Sequence, residues 1–111
     1  MRYVLVPSIV RFDVEKEISR TFSDDEPIEI VRLAEFFIDD YTNKSKVVEY
    51  EAGVQEKLEK LKRSLDGGDE VFMLCTGSAY HNALVAQKLV ENQINFKKLV
   101  YEKKVGKYVL V

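Results

Sequence analysis

Cysteine, histidine and proline are scarce in this chain: one, one and two among 111 residues, with no tryptophan. One cysteine cannot close an internal disulfide. Cys75 lies in an apolar run and reads as a small core residue of a protein from a reducing compartment. A single histidine and a buried thiol do not make a zinc site. The acidic runs Asp24-Asp25-Glu26 and Asp39-Asp40 are of a kind that mostly faces water, so no metal and no cofactor is expected. No apolar stretch approaches the length of a membrane span. The apolar run after Arg2 stops at Pro7 without a cleavable signal pattern, which makes the cytoplasm the expected location. Repeats, low-complexity tracts and linkers are missing too, and the length suits a single domain over 1–111.

What is present is a globular mixture, 46% hydrophobic and 32% charged. The net charge of −2 hides an asymmetry: residues 1–56 hold 7 Lys/Arg against 13 Asp/Glu, and residues 57–111 hold 10 against 6. An acidic domain is a poor binder of duplex nucleic acid. The local excess of Lys97, Lys98, Lys103, Lys104 and Lys107 favours an anionic ligand near the C-terminal half. The same lysines also suit a solvated edge hairpin guarded against edge-to-edge pairing.

Periodicity divides the chain into elements. Arg2–Val6 reads as a strand. Val14, Ile18 and Phe22 recur at helical spacing behind Asp13, a good N-cap. Pro27 suits the first position of a second helix, with Ile30, Leu33, Ala34, Phe37, Ile38 and Tyr41 as its apolar face. Lys46–Tyr50 reads as a short strand. Val54, Leu58, Leu61 and Leu65 mark a helix after Gly53, stopped at Asp66-Gly67-Gly68 by a left-handed glycine cap. Residues 70–76 form a strand apolar enough to be buried on both faces, as in a parallel sheet. A helix from Ala79 to about Asn92 follows, then a hairpin turning at Gly106. The expected order is β-α-α-β-α-β-α-β-β: an α/β fold with a mostly parallel sheet covered on both faces and a C-terminal antiparallel hairpin.

The turn Thr76-Gly77-Ser78 is the most informative stretch. Ligands of open parallel sheets bind beyond the carboxyl ends of the strands. Gly77 lets a group approach the backbone, Ser78 caps the next helix, and the N–H groups of Ala79 and Tyr80 are placed to meet a phosphate or carboxylate. An ordinary strand-to-helix turn has the same residues, and no established phosphate-loop pattern is present. His81, in the first turn of that helix, suits hydrogen bonding to an anion or general acid work. The competing reading is a capping partner of Ser78 or a solvated side chain, neutral at pH 7 because a helix N-terminus lowers its pKa. Asn82 can donate to a ligand or face water. Tyr80 sits beside the turn, and Tyr3, Tyr101 and Tyr108 either stack on a base or fill the core.

Residues 70–111 resemble the end of a CARF domain, the Rossmann-like sensor of CRISPR-linked cyclic oligonucleotides. The resemblance rests on the strand Val71-Phe72-Met73-Leu74-Cys75, the turn Thr76-Gly77-Ser78, the small-residue helix Ala83 to Val90, and Leu99-Val100-Tyr101. Pro7-Ser8 after the first strand looks like the family's opening loop. Ser78 stands where the second glycine of the family's turn falls, and Ala79-Tyr80 where its Thr-Lys pair falls. The resemblance implies a three-layer Rossmann-like fold and a cyclic oligoadenylate ligand; exposed edges on a compact sheet make a homodimer the expected assembly.

The expected function is therefore binding of a phosphorylated ligand, a nucleotide or cyclic oligonucleotide. Ser8, Thr76, Gly77, Ser78, Ala79, Tyr80, His81, Asn82 and Lys104 are its candidate binding residues. One alternative is a small metal-independent phosphodiesterase of ring-nuclease type with His81 and Ser78 as catalytic groups. Another is a non-enzymatic protein-interaction domain that uses an edge strand or the acidic N-terminal helices.

Overall fold

Alternation of side chains explains both the sheet and its two covers. In the computed structural model, which describes residues 1–111, β1 (Arg2–Val6) sends Leu5 to one face and Val4 and Val6 to the other, all three buried. The next elements are α1 (Val14–Thr21), β2 (Ile28–Arg32), α2 (Lys44–Ser64), β3 (Glu70–Cys75), α3 (Ala79–Glu91), β4 (Lys97–Glu102) and β5 (Lys107–Leu110). The sheet order is β2-β1-β3-β4-β5. The first four strands run parallel, and β4 and β5 pair antiparallel. Leu5, Val71 and Met73 pack under α2 and α3, while Val4, Val6, Phe72 and Leu74 pack on α1. Helices therefore cover both faces, and none is long and apolar enough to cross a membrane.

Three expectations are corrected. The helix predicted over residues 27–41 does not form; Ile28–Arg32 is β2, and an irregular segment follows to Asn43. Ile28, Ile30 and Val31 are β-branched, and β1 offers them a parallel ladder, so tertiary pairing overrides the helical spacing. The spacing still marks core residues: Leu33, Ala34 and Ile38 are buried from the irregular segment. The strand predicted over 46–50 is the start of α2, which Asn43 caps by accepting from the Lys46 N–H and which runs unbroken through Gly53. Finally, α2 ends on an extended Leu65, and neither Gly67 nor Gly68 takes positive φ. Asp69 closes that turn instead, its carboxylate accepting from the Asp66 N–H at 2.8 Å. The observed order is β-α-β-α-β-α-β-β.

The predicted caps hold. Asp13 accepts from the Lys16 N–H at 3.1 Å, and Ser78 from the Tyr80 N–H at 3.2 Å. Gly106 turns the β4–β5 hairpin at φ 66°, a conformation that favours glycine.

Candidate functional site

The chain leaves β1 for α1 on one face and leaves β3 for α3 on the other, so the crossovers part above the adjacent carboxyl ends of β1 and β3. This is the switch point at which open α/β sheets place ligands. Ser8 comes from one side and Thr76-Gly77-Ser78 from the other. The Ser8 hydroxyl, on a buried side chain, donates to the Thr76 carbonyl at 3.4 Å. Gly77 has φ 77°, and a Cβ there would collide with the Ser8 Oγ. The close approach that Gly77 permits is thus made by Ser8, while the outer side of Gly77 is exposed.

Donors are in excess here. Tyr80 N–H is spent on the Ser78 cap and Asn82 N–H on the Ser78 carbonyl at 3.2 Å. The N–H groups of Gly77, Ser78, Ala79 and His81 meet no protein acceptor. They lie at the positive end of a 13-residue helix. Ser78 Oγ also bonds the Tyr41 hydroxyl at 2.9 Å.

An aromatic cluster lies beneath. His81 is only 5% exposed and packs edge-on against Tyr50, with ring centroids 4.6 Å apart, and against Tyr80 at 5.3 Å. Tyr41 lies against Tyr80 at 5.3 Å. The Tyr50 hydroxyl donates to the Pro7 carbonyl at 2.6 Å and the Tyr80 hydroxyl to Glu51 at 2.7 Å. Burial pushes the Tyr50 hydroxyl pKa up, and burial followed by the Glu51 bond does the same for Tyr80. Both phenols stay protonated donors. Burial lowers the His81 pKa, so its ring is neutral. His81 is therefore neither a solvated side chain nor a capping partner of Ser78. Its Nδ1, like Asn82 Oδ1, is buried without a hydrogen-bond partner.

The structure thus brings Ser8 and residues 76–82 together. Lys104 lies in the β4–β5 turn at the same end of the sheet, but no hydrogen bond or ion pair joins it to Thr76–Ser78; its N–H binds Glu102. Tyr101 and Tyr108 pair with each other at 5.4 Å in the hairpin. Tyr3 packs against the α2 and α3 core. Cys75 faces that same side half-buried, and burial raises its thiol pKa. The acidic runs are engaged locally: Asp24 with Arg2, and Asp40 with the Thr42 N–H and hydroxyl. Sequence reasoning missed Tyr41, Tyr50 and Glu51. Tyr50 carried a usable signal, because Val47, Tyr50, Val54, Leu58 and Leu61 continue one helical stripe.

No family model, curated protein or solved structure matches this chain.

Proposed function

We propose that this chain is a cytoplasmic, Rossmann-like binding domain for a phosphorylated ligand, a nucleotide or cyclic oligonucleotide, held at the carboxyl ends of β1 and β3. One observation carries the reading: the backbone N–H groups of Gly77, Ser78 and Ala79 at the turn above the switch point, and of the buried His81 behind it, are without protein acceptors. Unpaired amides at a helix start suit phosphate oxygens. Unpartnered His81 Nδ1 and Asn82 Oδ1 add polar capacity at the base of that turn. The neutral, enclosed His81 supports binding rather than proton transfer.

Thermal unfolding with inorganic pyrophosphate, AMP, ATP and linear and cyclic oligoadenylates tests this. At least one of these probes raises the midpoint of the wild-type chain, since a ligand that binds only the folded state stabilises it. Ala79→Asp places a carboxylate in the first turn, where it suits the helix dipole and leaves the fold intact but repels phosphate. The ligand-induced rise disappears in that variant while the ligand-free midpoint holds. A wild-type midpoint unmoved by every probe overturns the proposal.

A further inference from the structure

The β2 edge is open, and its hydrogen-bonding phase is fixed. Arg2 N–H donates to the Pro27 carbonyl and Leu33 N–H to the Val6 carbonyl, both at 3.0 Å. In a parallel ladder this turns the N–H and C=O groups of Glu29 and Val31 toward β1 and those of Ile28, Ile30 and Arg32 outward. Of the outward groups only the Arg32 carbonyl is covered, by Lys57 Nζ at 3.1 Å. No proline or bulge, two of the devices that blunt an edge, interrupts β2, although Glu29 and Arg32 put charge on it. A cleft flanks the strand on each face. That on the α2 side, about 440 Å³, is lined by Glu29, Val31, Lys57 and Lys60 among others. That on the α1 side, about 220 Å³, is lined by Glu15, Ile18, Ser19, Ile28 and Ile30.

We propose that β2 is a self-association strand: two copies of this chain pair antiparallel about Ile30, joining their sheets into one. A two-fold axis normal to the sheet keeps each face on the same side, so only registers that pair residues of the same face are possible. With Ile30 opposite its own copy, Ile28 faces Arg32 and Glu29 faces Val31. Every outward group is then satisfied, two hydrogen bonds at each facing outward pair. Sliding the copies one way sets Glu29 opposite Glu29. Sliding them the other way leaves Ile28 facing Ala34, which lies outside the strand. Charge agrees with the centred register. The copy's Glu29 enters the α2-side cleft next to Val31, where Lys57 and Lys60 stand. The copy's Arg32 lies beside Ile28 in the cleft that holds Glu15, the residue type Arg32 already binds within its own chain at 3.3 Å. This opposite-charge fit favours a second copy over an unrelated extended peptide.

Sedimentation equilibrium over a concentration series measures the mass of the full chain, with circular dichroism confirming the fold of each variant. The wild type reaches the dimer mass. Glu29→Lys, on an exposed position, sets like charge against Lys57 and Lys60 and raises the dissociation constant about tenfold or more. Combining it with Lys60→Glu recovers affinity. Glu29 and Val31 would form a non-hydrogen-bonded pair, close enough for a disulfide. Glu29→Cys with Val31→Cys on a Cys75→Ser background therefore oxidises to a covalent dimer. A wild type that stays monomeric at every concentration overturns the proposal, whether or not it captures extended peptides. So does a dimer that is indifferent to Glu29→Lys and does not cross-link through positions 29 and 31.

Discussion

Gly77 and Ser8 form a steric pair drawn from distant parts of the chain. The glycine was readable as a turn residue, but its partner was not, because only the β1–β3 pairing brings residue 8 over residue 77. An alanine at 77 meets both a positive φ and the Ser8 Oγ. Gly77→Ala should therefore cost about 2 kcal/mol in urea unfolding, the left-handed penalty plus the collision. Adding Ser8→Gly should return the collision part, so that the two changes are not additive. Equal losses in the single and double variants would mean that backbone strain alone is at work. His81 supplies a second residue-scale expectation. Burial lowers its folded pKa beneath the ordinary 6.5, so the unfolded chain takes up a proton first as the pH falls. Stability from this group is complete above the unfolded value and is lost as the pH drops from there through the folded value. The urea midpoint should fall as the pH drops through and below the ordinary value of 6.5, and His81→Phe, which keeps an aromatic ring in the cluster, should flatten that slope. A wild-type profile as flat as the variant's would refute the assignment.

At the scale of elements, the strongly patterned parts were readable and the middle was not. β1, α1, β3, α3 and the hairpin each combine a periodic apolar pattern with a cap or turn residue, so local and tertiary preferences agree. Residues 27–50 carry a conflict. Ile30, Leu33, Ala34, Phe37 and Ile38 fit a helical face, yet the β-branched Ile28, Ile30 and Val31 are taken by β1. Val47, Val48 and Tyr50 have strand-forming character, yet Val47 and Tyr50 continue the buried stripe of α2 backward from Val54 while Val48 faces solvent. Gly53 looked like a boundary because glycine weakens helices, but one glycine inside a 21-residue packed helix does not break it. A Cβ at position 53 would meet nothing within 4 Å. Gly53→Ala should then stabilise the chain by about 0.5–1 kcal/mol, seen as a higher urea midpoint at unchanged m-value. A loss of stability would show that the adjoining cleft, lined by Leu33, Phe36 and Tyr50 among others, closes on the glycine in solution.

The whole molecule is polar along its strands. The carboxyl ends of β1 and β3 carry the unsatisfied amides, and the opposite end of the sheet is tied by charge. Arg2, its side chain 12% exposed, binds Asp24 and Glu26, and its guanidinium lies 4.4 Å over the Phe22 ring. Lys97 binds Glu70 at 2.9 Å. The hydrogen bonds from Arg2 hold Asp24 below the usual carboxylate range, and Lys97, aided by Arg2, does the same for Glu70. Carboxylates lowered in this way add stability above their unfolded pKa values, and that stability is lost as the pH falls through the folded ones. Arg2→Met keeps the packing of the stem but releases Asp24 and leaves Glu70 to Lys97 alone, so acid unfolding should begin at a higher pH than in the wild type. The gap between the two chains should narrow in strong salt, which screens exposed pairs. Residue 2 lies about 13 Å along β1 from residue 6, at the rise of an extended chain, with Ser8 beyond that end. The same variant should therefore keep the full nucleotide-induced rise in melting midpoint that Ala79→Asp loses. If Arg2→Met abolishes that rise at neutral pH while remaining folded, the two ends of the sheet are coupled, and the ligand does not act through the amides above Gly77 alone.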